Sequence, residues 1–158
     1  RVEKALKRDF YYAFAEEKYP GVPRLNMKII DKNETFYLQE NVKVIPIEVM
    51  HHKLPVLGFR IENFTYITDC KTISNEELRK LKGTEVLVIN ALRETPHLSH
   101  LNLEEALELI EKINPKKTYL THISHHLGTY EEILEKLPML PSNVFPAYDG
   151  LKCYSKSL

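Results

Sequence analysis

The order of its apolar runs is the feature that most restricts the fold of this 158-residue chain. In the second half, runs of strand length such as EVLVINA (85–91) and KTYLT (117–121) alternate with segments that carry helix-capping signals. Earlier runs at 42–50, 56–61 and 64–68 are rich in β-branched and aromatic residues and predict strands, the last two joined in a tight hairpin. This pattern predicts an α/β layered sandwich, with helices packed on a sheet.

Capping signals and breaks place the remaining elements. Three predicted helices begin with a capping residue followed three positions later by Glu, namely Ser74 with Glu77, Asn102 with Glu105, and Thr129 with Glu132. An amphipathic N-terminal helix is predicted to end before the YPGVP break at 19–23. Pro46 predicts an edge or a bulge in its long strand. Further strands are predicted at 35–38 and after a turn at Asp149-Gly150.

Composition excludes several classes of function. Lys and Arg number 22 and so do Asp and Glu, so no basic field favours nucleic acid as a partner. No apolar run approaches the roughly 20 residues of a membrane span, and no signal-peptide pattern opens the chain. Cys70 and Cys153 lie far apart without a CxxC spacing, as expected for reduced thiols. We therefore expect a single-domain, soluble, cytoplasmic protein with no membrane partner.

Histidines are grouped in a way that points to chemistry. All seven follow apolar runs and fall in three loops: His51, His52, His97, His100, His122, His125 and His126. In layered α/β proteins, functional groups gather where strands end at one edge of the sheet. Asp69, at the end of its own strand, adds a carboxylate. Because imidazole and carboxylate are ligands of zinc, iron and manganese, the pattern predicts a metal site.

Taken singly, each of these residues has a simpler interpretation. A lone histidine at a strand end is at least as well interpreted as a solvated loop residue or a helix-cap contact, and no HExxH motif specifies a site locally. The chain has no GxSxG for a serine nucleophile and no GxGxxG or GxxxxGK[ST] for a phosphate. Cys70 adjoins Asp69, whose charge opposes a thiolate, so a packed thiol is favoured over a nucleophile.

Four stretches carry a family resemblance: HHKLPVLGFRIENFTYITDC, NALRETPHLSHLNLEEALELI, TYLTHISHHL and AYDGL. Together they resemble the second half of a metallo-β-lactamase-fold hydrolase, closest to the subgroup of the phosphoribosyl cyclic phosphate phosphodiesterase. The resemblance implies a four-layer αββα sandwich with a dinuclear metal site at the edge of two sheets. It makes residues 1–158 the C-terminal portion of one such domain.

The resemblance also implies roles for particular residues. His51 and His122 would each bind one metal ion, and Asp69 would bridge both. His100 would be a catalytic residue near the leaving group without binding metal, and His125 would lie close to the substrate. The other three histidines match no family position and are expected to be solvated loop residues: His52, His97 and His126.

One family motif is missing from this chain. HxHxDH, which supplies the other four ligand positions in the family, does not occur here, and three ligands cannot fill two coordination spheres. The chain also opens inside a predicted helix without an initiator Met. We therefore expect a fragment of a longer protein, inactive alone, whose first half carries that motif. Its exposed sheet face would favour a homodimer or strand exchange.

The activity implied by the resemblance is hydrolysis of a small phosphodiester, including a cyclic ribose phosphodiester. Two divalent ions, zinc or manganese, would hold a bridging hydroxide as nucleophile, and His100 would act as general acid. Several alternatives use the same ligands: a tRNA-processing nuclease, a thioesterase and a lactonase. A non-catalytic half-fold that acts as an interaction module is an alternative of another class.

Overall fold

The computed structural model describes residues 2–39, 41–136 and 139–153, which form two compact units. The N-terminal unit extends to Asp31 and contains α1 (Val2–Asp9) and α2 (Tyr11–Phe14). The single helix predicted here is interrupted at Phe10, whose backbone lies outside the helical region at φ −117° and ψ 38°. Aromatic residues follow the break, and their restricted side chains lower helix propensity.

The second unit begins at Lys32 and contains a mixed sheet. Its described strands are β1 (Phe36–Leu38), β2 (Val42–His51), β3 (Leu54–Ile61), β4 (Phe64–Ile67), β5 (Thr72–Ile73), β6 (Val86–Asn90), β7 (Lys117–Thr121) and β8 (Val144–Pro146). Its helices are α3 (Asn75–Lys80), α4 (Leu103–Ile113) and α5 (Tyr130–Lys136). The strand order is β1-β2-β3-β4-β6-β7-β8, and β5 pairs with β2.

Two tight hairpins build the antiparallel half of the sheet. Glu62 and Asn63 join β3 to β4, which confirms the predicted hairpin, and His52 and Lys53 join β2 to β3 in the same manner. The first loop residues have positive φ, 52° at Glu62 and 56° at His52, as two-residue hairpin turns often require. The β2–β3 turn was not predicted, because neither of its residues is a usual turn former.

Pro46 lies within β2 without breaking the sheet. On one side it pairs with Phe59 of β3, while on the other side β1 pairs only with the start of β2 and β5 only with its end. Glu48, two residues along, donates its backbone N–H to the Glu77 carboxylate at 2.9 Å instead of to a strand. Backbone groups of residues i and i+2 in a strand point to the same side, so position 46 faces the same unpaired side of β2 as the Glu48 N–H and needs no N–H of its own. The prediction of an edge-like position for Pro46 is therefore confirmed.

The parallel half of the sheet contains most of the core. β6 lies between β4 and β7, parallel to both, and β8 extends the parallel set. Four strand residues at most 1% exposed belong to the same buried cluster as Ala106 and Ile110 of α4: Leu87, Ile89, Leu120 and Val144. Buried and more exposed positions alternate along β7 and β8, as expected where helices cover one face of the sheet, whereas four of the five residues of β6 are buried.

Helix caps follow the sequence closely, with one exception. Asn102 and Glu105 form the predicted capping box of α4, and Asn114 ends that helix in the left-handed region at φ 53°. At α3, Ser74 accepts from the Glu77 backbone at 3.2 Å, but the Glu77 carboxylate bonds Glu48 and Lys80 instead of returning to the cap. Only half of that predicted capping box is present, because β2 offers Glu77 an unpaired N–H.

The predicted last strand is wrong within the described residues. Residues 151–153 form no strand, and position 154 lies outside the described residues. The sheet instead ends at β8, which has only three residues and ends in Pro146, so it carried no strand signal. The turn at 148–151 is present, with Leu151 donating to the Tyr148 carbonyl at 3.1 Å. No described helix is long and apolar enough to cross a membrane.

Truncation of a buried side chain in β6 should destabilise the fold. Leu87→Ala removes a side chain that is 0% exposed in β6 and should lower the free energy of unfolding by about 2–5 kcal/mol. The matched control is Leu98→Ala, at a residue that is 69% exposed, which should change it by less than about 0.5 kcal/mol. Urea denaturation of both variants measures the difference, and equal effects would contradict this description of the core.

Candidate metal centre

Four strand ends bring titratable residues to one edge of the sheet. His51 ends β2, Asp69 follows β4 by two residues, and His122 comes directly after β7. His100 lies in the loop between β6 and α4. β2, β4, β6 and β7 all run in the same direction, since β2 and β4 are each antiparallel to β3. Their C-terminal ends therefore share one edge.

The four side chains meet around the Asp69 carboxylate. Its Oδ1 lies 3.1 Å from His100 Nε2 and 3.5 Å from His122 Nε2. The His100 ring is 4.5 Å from the His51 ring and stacks on the His122 ring at 4.6 Å between centroids. One ligand atom each from His51, Asp69 and His100 lies within 4.8 Å of the other two. The predicted convergence of His51, Asp69 and His122 is thus present.

This donor set fits a divalent cation. Ligand atoms at about 2.0–2.2 Å from zinc in a tetrahedral site are about 3.4 Å apart. The separations around Asp69 Oδ1 are 3.1 and 3.5 Å, close to that value. His51, His100 and His122 supply imidazole nitrogens and Asp69 a carboxylate oxygen, the ligands that zinc and manganese accept. His100 is therefore as well placed to bind metal as the predicted ligands.

Burial favours the neutral imidazoles that a metal requires. It lowers the pKa of His100, and the positive charges of His122 and His51 act in the same direction, while the hydrogen bond to Asp69 opposes them. The pKa of His97 is also lowered, first by burial and then by the charge of Arg93. In the metal-free protein both rings are thus shifted toward the neutral form, which is the one that binds metal.

Two residues of the centre have a strained backbone. Asp69 and His122 adopt the left-handed conformation, at φ 54° and 55°. Asp and His enter this region more readily than most residues other than glycine, but still at a cost in free energy. Conformations of this kind cluster at functional sites, where the surrounding structure holds them in place. The strain at both predicted metal ligands therefore supports a functional role for this edge.

Backbone hydrogen bonds tie the loops of the centre together. Lys71 donates to the Met50 carbonyl at 2.8 Å, which joins the Asp69 loop to the end of β2. Leu101 donates to the Cys70 carbonyl at 2.8 Å, beside His100. Ser124 donates to the Leu92 carbonyl through both its backbone at 2.9 Å and its hydroxyl at 2.7 Å. Each loop with a site residue is thus bonded to a neighbouring loop.

His97 belongs to the centre, contrary to the expectation that it is a solvated loop residue. It is half-buried, its Nδ1 lies 3.2 Å from His100 Nδ1, and the two rings are 5.1 Å apart. The hydroxyl of Ser99 lies 3.0 Å from the same His100 nitrogen. His100 therefore has partners on both ring nitrogens. The three-residue spacing of the two histidines in PHLSH was the available signal.

The other predicted positions lie apart from the Asp69 cluster. His125 and His126 are exposed, their rings lie 3.9 Å apart, and they line a groove with Glu132, Glu135 and Lys136. Among the described contacts none joins His125 to Asp69 or His100, so its substrate role stays a prediction. His52 is exposed in its hairpin turn, as expected. The metal and catalytic roles of the clustered residues also stay predictions.

Comparison with known proteins identifies the family. Residues 1–123 match the Beta-lactamase superfamily domain, which is more than half of the chain. The chain belongs to the β-lactamase superfamily. The predicted family is thereby confirmed, and the solved structures below confirm the predicted fold.

Three relatives show how far the likeness extends. A crystal structure described as a new diphosphatase from the PhnP family is 33% identical, with a TM-score of 0.81, and the match covers 95% of this chain and 53% of that chain. Zn²⁺-bound PqqB from Methylobacterium extorquens shares the fold at 17% identity and a TM-score of 0.58, over 77% of this chain and 53% of its own. An octanoyltransferase from Porphyromonas gingivalis (strain ATCC BAA-308 / W83) is 34% identical over 149 residues, 94% of this chain and 30% of that protein.

The chain spans about half the length of the solved relatives and less than a third of the octanoyltransferase. The likeness to the PhnP-family diphosphatase agrees with the predicted subgroup. Assignment of residues 1–158 to the C-terminal portion of a single domain stays a prediction, as does the preceding half with its HxHxDH motif.

The two cysteines should differ sharply in reactivity. Cys70 is 0% exposed and burial raises the pKa of its thiol to about 12, which confirms a packed thiol, whereas Cys153 is exposed. At pH 8, below that raised pKa, Cys70 stays protonated. We expect iodoacetamide to modify Cys153 and leave Cys70 intact in the native protein, as read by peptide mass spectrometry. Modification of both after unfolding is the control, and rapid modification of native Cys70 would contradict its burial.

Proposed function

We propose that the protein to which this chain belongs is a metal-dependent hydrolase whose substrate is a small phosphodiester, a cyclic ribose phosphodiester being the first choice. The observation that carries the proposal is the convergence of three imidazoles on the Asp69 carboxylate, with separations that suit a divalent cation. The phosphodiester class is supported by the 33% identity to a PhnP-family diphosphatase over 95% of the chain.

His51, Asp69 and His122 would hold two divalent ions, zinc or manganese, together with ligands from outside this chain. Such ions lower the pKa of a bound water molecule and withdraw charge from phosphate oxygens. The left-handed backbone at Asp69 and His122 aims both side chains into the same space, so these ligands are in place before an ion arrives. Preorganisation of this kind reduces the cost of binding.

His100 would donate a proton to the leaving group. Its Nε2 faces Asp69 and its Nδ1 faces Ser99 and His97, so hydrogen bonds fix the ring on both sides. In its protonated form, which the hydrogen bond to Asp69 favours against the effect of burial, an imidazole fixed in this way can deliver a proton to a departing oxygen, an effect worth about 10²- to 10⁴-fold in rate. The alternative for the same ring is metal binding, since its nitrogen lies within reach of the His51 and Asp69 ligand atoms.

Two substitutions separate these roles. Asp69→Asn tolerates the left-handed backbone but removes the charge, and should abolish both bound metal and turnover. His100→Ala should lower turnover by about 10²- to 10⁴-fold while the metal content is retained. Metal per protein is measured by plasma mass spectrometry, and turnover by phosphate-ester hydrolysis.

The outcomes for these variants distinguish the possibilities. Loss of metal from His100→Ala would make His100 a ligand and not a general acid. Full metal content in Asp69→Asn would remove Asp69 from the centre and overturn the proposal. His126→Ala is the matched control, because His126 is an exposed histidine whose ring contacts only His125 among the described residues.

A substrate comparison tests the activity itself. The purified whole protein to which this chain belongs, loaded with Zn²⁺ or Mn²⁺, should hydrolyse a cyclic ribose phosphodiester faster than a thioester, a lactone or a tRNA precursor. The Asp69→Asn variant serves as the blank for contaminating hydrolases. Preferential cleavage of the thioester, lactone or tRNA would reassign the substrate within the same fold, and no cleavage of any by metal-loaded protein would favour a non-catalytic module.

We also propose that the protein forms a homodimer, acts on a small molecule and is located in the cytoplasm. A homodimer is supported by exposed and half-exposed apolar residues on the sheet face opposite the helices, among them Phe64, Tyr66, Val86 and Tyr119. The neutral overall charge supports a small-molecule substrate rather than nucleic acid. A cytoplasmic location agrees with two unpaired cysteines, Cys70 and Cys153.

A further inference from the structure

Asn90, the last residue of β6, is a fully buried polar side chain with a specific partner. Its Oδ1 accepts the backbone N–H of Cys70 at 2.9 Å, and its Nδ2 donates to the Cys70 carbonyl at 3.0 Å. An N–H can only donate and a carbonyl can only accept, so the orientation of the carboxamide is determined by its partner. The side chain of Asn90 thus hydrogen-bonds both the backbone N–H and the backbone carbonyl of Cys70.

The residue held in this way is the neighbour of Asp69. Between the end of β4 at Ile67 and the start of β5 at Thr72 the chain has no strand partner, and Asp69 lies there with φ 54°. The Cys70 carbonyl accepts from Asn90 and also from the Leu101 backbone at 2.8 Å. Cys70 is therefore the point at which the Asp69 loop joins both β6 and the loop that carries His100.

An apolar residue at position 90 could fill the same volume but could not form the two hydrogen bonds to Cys70. The strand positions before Asn90 are apolar and buried, and burying an amide is costly unless its hydrogen bonds are made. Without Asn90, the Cys70 N–H would have no described partner, while the Cys70 carbonyl would keep Leu101. The Asp69 loop would then be held on one side only, and its left-handed residue would be free to relax.

We propose that Asn90 is a positioning residue, whose two hydrogen bonds to Cys70 hold Asp69 in the left-handed conformation that points its carboxylate at His100 and His122. Asn90 touches neither the ion nor the substrate, and it acts on metal affinity through Asp69. This inference rests on the proposed metal centre. Groups that orient metal ligands typically change affinity by about 10- to 100-fold when they are removed.

The test compares metal affinity with stability in the purified whole protein to which this chain belongs. Asn90→Leu keeps the approximate volume and removes both hydrogen bonds, and Asn90→Ala removes the volume as well. The probe is Co²⁺ alone, titrated by its visible absorption, whose bands report coordination geometry. Both variants should bind Co²⁺ about 10- to 100-fold more weakly than the unsubstituted protein, with an altered spectrum. Thermal unfolding without metal is measured in parallel.

Thr118→Val is the matched control. Thr118 is also fully buried, on the adjacent strand β7, and its hydroxyl has no hydrogen-bond partner among the described residues. Its replacement therefore removes a buried polar atom without breaking a hydrogen bond, and it should leave Co²⁺ affinity and spectrum unchanged.

Each outcome decides between the possibilities. Lower thermal stability of the Asn90 variants with unchanged Co²⁺ affinity and spectrum would show a structural role only and overturn the inference. If neither variant folds, Asn90→Gln retains donor and acceptor one methylene further out, and it should fold with weakened Co²⁺ binding; unchanged binding there would overturn the inference too. Failure of the unsubstituted protein to bind Co²⁺ would instead overturn the metal centre, and this inference with it.

Discussion

The parallel pairing of β4, β6 and β7 is the constraint on which the centre depends. Ile67 pairs with Ile89 and Asn90 pairs with Thr121, so the three strands end level at one edge of the sheet. A shift of one residue in this pairing would exchange the buried and outer faces and displace a loop by about 3.3 Å. Burial of apolar side chains on the helix-covered face therefore also fixes where Asp69 and His122 begin their loops.

Hydrogen bonds offset the backbone strain in the loops at this edge of the sheet. Asp69 and His122 lie in the loops after β4 and β7, and both have a left-handed backbone conformation that would relax in a flexible loop. Hydrogen bonds oppose that relaxation: Asn90 bonds Cys70 in the first loop, and Ser124 in the second donates to the Leu92 carbonyl of the loop after β6. The bonding is made mostly by backbone groups and by two side chains, Asn90 and Ser124, that present no chemistry of their own. The reactive side chains are thus placed by residues that carry no functional signal in the sequence.

Local sequence signals predicted most helices and strands, whereas the features that were missed depend largely on contacts between residues distant in sequence. The periodicity and caps of α4, the Glu62-Asn63 hairpin and the buried run of β6 act within a few residues, so they could be predicted. The grouping of histidines at strand ends also predicted a site at this edge of the sheet, and the family resemblance predicted that His51, Asp69 and His122 belong to it. The pairing of His97 with His100, and the capture of Glu77 by β2, depend on what the fold brings nearby. β8 was missed because it has only three residues and the last of them is Pro146.

The electrostatics of the cluster explain why these imidazoles are together at all. The rings of His51 and His122 lie 4.5 and 4.6 Å from the His100 ring, so protonated rings would repel, and His51 and His122 each lower the pKa of His100. A protein that needed the rings only for packing would gain more from apolar residues, which carry no desolvation cost. The arrangement becomes favourable when the rings are neutral and a cation supplies the positive charge that Asp69 can balance. Because one donor set of this kind can serve several reactions, the proposed choice of substrate would depend on residues around the cluster and on the rest of the protein.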